Sequence, residues 1–156
     1  GPGPVPYIPR THAFYRAQGF ERDYRYAQHD DAPFASLPAP LRSCRLALVT
    51  TASTYRREPL DPRKVDAFDP RDPPERLHTD DLSWDKEATH TDDPGSFCPV
   101  ETLAALADDG VIGALAERVH CVPTEYSQRA TREQDAPEIL RRIREDGADC
   151  ALLAPL

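Results

Sequence analysis

THTDDPGSFCPVETLAALADDGVIG, residues 89–113, is the stretch on which the reading of this chain turns. Its second half carries the clearest helix signals in the sequence. Ser96 or Cys98 can cap the start, and Pro99 stands in the first turn, where its missing N–H costs nothing. Glu101 places negative charge at the positive end of the helix dipole. Val100, Leu103, Leu106 and Ala107 recur at helical spacing on one face, and Gly110 stops the run. The spacing therefore predicts a helix over 99–109. The first half of the stretch gathers His90, Asp92, Asp93 and Cys98 in a polar loop that this helix would hold in place.

Upstream of that loop, RLALVTT (residues 45–51) reads as a short apolar strand, buried on both faces. Downstream, VHCV (residues 119–122) reads as a second strand. Asp135 is placed to cap a second helix with Pro137 in its first turn, Ile139, Leu140 and Ile143 as its apolar stripe, and Gly147 at its end. DCALLA (residues 149–154) reads as a third strand. Strands joined by helices imply a parallel sheet with right-handed crossovers. The expected fold is thus α/β over residues 42–156, a small parallel sheet with flanking helices. A long irregular loop over residues 54–97, broken by prolines and acids, interrupts it, with a short extended piece at Leu77, Leu82 and Trp84. Residues 1–41 form a long irregular N-terminal arm rich in proline and aromatics, with a short helix around Phe14–Gln18.

Composition narrows the function. The 156 residues hold 19 Lys and Arg against 27 Asp and Glu, a net charge of -8. That excludes generic nucleic-acid binding, which needs a basic face, and attraction to anionic membranes. No apolar run approaches the ~20 residues that span a bilayer, and no apolar signal segment opens the sequence, so a cytoplasmic chain is expected. Cys44, Cys98, Cys121 and Cys150 form no Cys-x-x-Cys pair and read as reduced thiols, three of them buried in apolar runs. No glycine-rich loop follows any strand, which removes a dinucleotide or P-loop site. A Gly-x-Ser-x-Gly element is also missing, which removes the corresponding hydrolases.

Three chemistries remain open at the level of residues. Ligands in a parallel sheet bind beyond the carboxyl ends of the strands. Thr50 and Thr51 then face the same rim as Glu125, Tyr126, Ser127 and Arg129, with Arg129 placed to hold a carboxylate and Asp92 and Asp93 lining the wall. Cys98 at a helix start, with His90 as its base, is a candidate nucleophile. His78, His90 and Cys98 are candidate metal ligands, although no standard spacing supports them, and the sequence requires no cofactor. His120 reads as a satisfied histidine within the sheet.

The strand RLALVTTAS (45–53), the segment LSWDKEATHTDDPGSFCPVETLAALADDGVIGALAERVHCVPTEYSQRAT (82–131) and the close REQDAPEILRRIREDGADCALLAPL (132–156) together resemble the glycine/sarcosine/betaine reductase selenoprotein B family, which includes the D-proline reductase selenoprotein subunit. The resemblance rests on the threonine pair, the acidic loop leading into Phe97, Pro99 and Leu103, the turn of Gly110, Ile112 and Gly113, and the closing Asp146, Gly147 and Asp149. It implies an oxidoreductase component that binds a small amine or amino-acid-derived substrate, which is cleaved by a low-pKa selenol or thiol. It also implies a redox motif following directly on residues 149–155, beyond Leu156, so the reactive group is expected from a continuation of the chain or from a partner. Two alternatives stand beside it: a non-catalytic binding protein whose last strand is covered by a partner subunit or second copy, and a metal-binding protein.

Overall fold

The computed structural model describes residues 3–56, 62–79, 87, 90–125 and 127–155. The chain divides into two units, Gly1–Phe34 and Ala35–Leu156.

In the second unit the apolar segment at 45–50 forms the central strand. β1 (Arg45–Thr50) is buried without interruption from Ala47 to Thr50, because β3 (Ala114–Cys121) and β4 (Cys150–Ala154) pair with it on either side, both in parallel. The sheet order is β2-β3-β1-β4. The α/β expectation holds, with one addition. β2 (Asp66–Phe68) lies inside the long loop and pairs antiparallel with β3, making the sheet mixed. Three residues are too short a run to show a period, so the sequence carried no signal for it. Leu77, expected in an extended piece, is buried in the core; Leu82 and Trp84 lie outside the described residues.

α2 (Val100–Asp108) fulfils the helix expectation and buries Val100 and Leu103 against Leu48, Val119 and Cys121. Its start differs from the expectation. Pro99 is the capping residue and no side chain caps it, because the Ser96 hydroxyl donates to the Asp93 carbonyl instead. Gly110 ends the helix at φ +70°, a conformation that favours glycine. Gly113 is required by space: a Cβ there would sit 2.7 Å from the Cys44 carbonyl oxygen.

β3 is twice as long as VHCV suggested. Its pairing with β1 jumps from Leu46↔Leu115 to Leu48↔Val119, and the bulge carries Glu117 and Arg118 into what would otherwise be an apolar run. Alternation along the strands then separates two faces. Val119 and Cys121 meet α2, whereas His120 reaches Asp146 at the far end of α4 (Ala136–Glu145). The two helices therefore cover opposite faces of the sheet.

The second helical region begins earlier than expected. Ser127 caps α3 (Gln128–Ala130), a π-helical turn follows at Thr131–Asp135, and α4 continues without a break. Asp135 is not a cap; its backbone is helical and its side chain is buried. The wide turn accommodates Pro137, whose missing N–H and ring would disrupt a regular α-helical path. Of the expected stripe, Ile139 is buried and Ile143 half-buried, but Leu140 is exposed. Among the described residues β4 is an edge strand paired only with β1, and Leu153 is 67% exposed.

The first unit contains α1 (Tyr7–Ala17), longer than the helix expected around Phe14–Gln18, with Pro9 tolerated in the first turn. Arg16 is bonded to Asp23, and His12 to the Tyr24 carbonyl, folding residues 20–24 back on the helix. Among the described residues no helix is long and apolar enough to cross a membrane.

Candidate functional site

The threonine pair at the end of β1 divides into two roles. Thr50 is buried, and its hydroxyl donates to the Phe97 carbonyl at 2.9 Å, so it ties the central strand to the turn before α2. That bond removes Thr50 from the expected ligand contacts. Thr51 is half-exposed at the rim. Ser53 and His78 form a backbone bridge, each N–H donating to the other's carbonyl.

At the start of α2 a cleft of about 380 Å³ is lined by Phe68, Leu77, Asp93, Cys98 and Glu101 among others. Cys98 is only 5% exposed, and burial pushes its thiol up to about 11. It is therefore protonated near neutral pH, the opposite of what an activated nucleophile requires. His90 is exposed and accepts from the Asp92 backbone N–H through Nδ1 at 3.3 Å; it is not bonded to Cys98. Among the described residues no group of three or more His, Cys, Asp or Glu side chains is placed to hold a metal, so His78, His90 and Cys98 are not assembled into one. Asp92 and Asp93 are both exposed.

A different polar group stands beyond the carboxyl end of β3. Arg63 comes from the long loop; its Nε donates to the Pro123 carbonyl at 2.6 Å and its Nη1 to Asp135 Oδ1 at 2.5 Å. Asp135 comes from the π-helical turn and is 6% exposed. Thr124 follows Pro123 directly. Asp135 Oδ2 and Thr124 Oγ1 are both buried without a hydrogen-bond partner among the described residues. Native structures leave few buried polar atoms unmet, and a charged oxygen is the costliest kind. π-helical turns recur at functional sites for the same reason: they hold a side chain where a regular helix would not. The wider rim includes Thr54, whose hydroxyl donates to Asp66. Ser127 serves the helix: its hydroxyl accepts from the Ala130 N–H, and its own N–H donates to Glu125. Arg129 is exposed one turn along, and Tyr126 lies outside the described residues. Sequence reasoning gave Arg63 no role and took Asp135 for a helix cap. The available signal was the pairing of a buried acid with a basic residue in an otherwise unpatterned loop, which only the fold brings together.

On the face of the sheet turned away from α2, at the far end of α4, a second cluster has its bonds nearly complete. Asp146 Oδ1 accepts from Arg118 Nε at 2.7 Å, and Oδ2 from His120 Nε2 at 2.9 Å. His120 is fully buried, and burial holds its pKa below the ordinary range. Since a carboxylate only accepts, Nε2 carries the proton and Nδ1 is bare. Burial pushes the Asp146 carboxyl up, but the bonds from Arg118 and His120 overcome it and hold the carboxyl below the usual range. Asp149 accepts from the Arg45 N–H at 2.8 Å. The closing Asp146-Gly147-Ala148-Asp149 thus anchors the last crossover, and His120, expected to be satisfied within the sheet, is bonded at Nε2 but not at Nδ1.

Comparison of the chain with protein-family models, with curated proteins and with solved structures finds no match.

Proposed function

We propose that this chain is a reductase-like substrate-binding component, similar to the B component of amino-acid and betaine reductases. Its substrate is a small amine or amino-acid derivative, bound at the carboxyl-end rim. The observation that carries the reading is the buried Arg63–Asp135 pair beyond β3, with one carboxylate oxygen and the Thr124 hydroxyl short of partners. Paired charges beside unmet polar atoms suit a compact polar ligand better than an extended apolar one. The chain itself contributes binding. Cys98, protonated in the core, does not supply the low-pKa thiol that reduction needs, so that group comes from elsewhere. The exposed edge strand β4 is where a partner subunit or a second copy would sit.

A thermal-shift panel tests this reading with glycine, N-methylated glycines, D-proline and simple alkylamines at millimolar concentration. A ligand present at a hundredfold over its Kd adds about 2.7 kcal/mol of stability, a rise of several degrees in Tm. A reproducible rise with at least one member supports the proposal. A flat response across the whole panel overturns it.

A further inference from the structure

We propose that the cleft at the start of α2 binds a linear alkyl polyamine, with its methylenes on the apolar floor and its ammonium groups on the carboxylates of Glu75, Asp93 and Glu101. Neither Arg63 nor Asp135 lines this cleft, so the site is separate from that pair and does not depend on the reading given to it.

The cleft, about 380 Å³, is assembled from the segment after β2, the turn before α2 and the first turn of α2, all within one unit. Its floor belongs to the core: Leu77, Cys98 and Val100 are buried, and Phe68 packs against the same cluster. The Cys98 thiol lines that floor and makes no hydrogen bond among the described residues, so a polar atom that can weakly accept an N–H is left open there. The rim is acidic. Glu75, Asp93 and Glu101 are exposed, and none is ion-paired among the described residues. Elsewhere in the same unit Asp69, Asp135, Glu138 and Asp146 each hold an arginine. Among the described residues no Lys, Arg or His lines the cleft, and nearby Arg71 is taken by Asp69. The positive end of α2 offsets only about half a charge of the three.

The complement is therefore cationic, and three further observations give its shape. Among the described residues no three His, Cys, Asp or Glu side chains converge enough to hold one metal ion, so a cation reaching all three carboxylates is extended. A bare or hydrated ion gains nothing from Leu77 and Val100, whereas methylenes laid on them leave water. A single ammonium leaves two carboxylates repelling each other, and each added ammonium relieves that repulsion. Pro73, Pro74, Pro94 and Pro99 fix the backbone of the walls, so the cleft is shaped before a ligand arrives. Its volume, at the small end of ligand pockets, suits a short aliphatic chain.

Isothermal titration of the full chain with butylamine, 1,4-diaminobutane, spermidine and magnesium chloride tests the proposal in about 20 mM salt, where charges are weakly screened. Affinity is expected to rise about fivefold with each ammonium added, and 1,4-diaminobutane is expected to bind more tightly than magnesium, which carries the same charge without the methylenes. Glu75→Gln and Glu101→Gln, both at exposed positions, should each remove about one such step, whereas Glu133→Gln, at an exposed position that does not line the cleft, should remove none. The wild-type series needs no variant, so a folding defect in either cleft variant leaves the test intact. Magnesium binding as tightly as the diamine, or Glu133→Gln weakening spermidine as much as the cleft variants, would mean attraction to net charge alone and overturns the proposal. So does tighter binding by an acetylated, amidated trilysine peptide than by spermidine, which would make the cleft a docking point for a basic protein segment. Absence of binding by both spermidine and 1,4-diaminobutane overturns it as well, and none of these results bears on Arg63 and Asp135.

Discussion

The π-helical turn and α4 form one helical path with an arginine–aspartate pair at each end, and the two pairs are finished differently. At the carboxyl end, Asp146 has both oxygens filled, one by Arg118 and one by His120, and its backbone carbonyl accepts from Arg45 at 3.1 Å. At the amino end, Asp135 has one oxygen filled by Arg63 and one without a partner among the described residues, although its side chain is buried to a similar degree. A saturated buried carboxylate is a fastener. Its bonds offset its desolvation, and what remains bare in that cluster is a neutral imidazole nitrogen. A half-filled one is expensive to keep, and its cost is recovered only when something donates to it. The same residue type in the same kind of pair is therefore saturated at one end of the helix and left with an unmet oxygen at the other.

Matched substitutions break or sharpen this contrast most strongly. Asp146→Asn turns an acceptor oxygen into a donor facing Arg118 or His120, and it is expected to cost about 2–3 kcal/mol in urea unfolding. Asp135→Asn places its amide where no donor was met and is expected to cost about 1 kcal/mol or less. Equal losses would mean that both carboxylates are structural.

The pH dependence of stability isolates the finished cluster. The unfolded chain's histidine titrates near about 6.5, while burial depresses His120 in the folded state. As pH falls through that value, the unfolded chain takes up a proton that the folded chain refuses. The contribution of His120 is thus fully present above pH ~6.5 and declines below it, by at most about 1.4 kcal/mol per pH unit. Asp146, also depressed, adds its loss only below its unfolded value of about 3.9. The urea midpoint should drop between pH 7.5 and 5.5, and His120→Gln should flatten that drop. An unchanged slope in the variant would remove His120 from the account.

The smallest effect concerns the other end of the sequence reading. Cys44, Cys98 and Cys121 are buried and Cys150 is half-buried. Brief alkylation of the native protein followed by peptide mapping should label Cys150 first and Cys98 no faster than Cys44 or Cys121. Preferential labelling of Cys98 would move the reactive region to the start of α2.

The elements that could be read from residue order alone are those whose partners lie close in sequence or whose burial is uniform. β1 is apolar at Ala47, Leu48 and Val49, its buried positions before Thr50, and α2 repeats its apolar residues at the helical period, so both were legible before any coordinates. Gly110 and Gly147 marked helix ends because the left-handed conformation belongs to glycine wherever it occurs. The site was less legible. Thr50 looked like a ligand contact because a hydroxyl at a strand end is equally suited to a ligand or to a carbonyl, and only the packing of Phe97 chose the second. Asp135 looked like a cap because an acid two residues before a proline is the usual signature of one. Its actual partner, Arg63, lies 72 residues away in a loop without pattern. The strand order, the antiparallel β2 and the unmet oxygen of Asp135 all depend on which distant groups fail or succeed in meeting. Propensity and period act over a few residues, so these were decided by the tertiary structure alone.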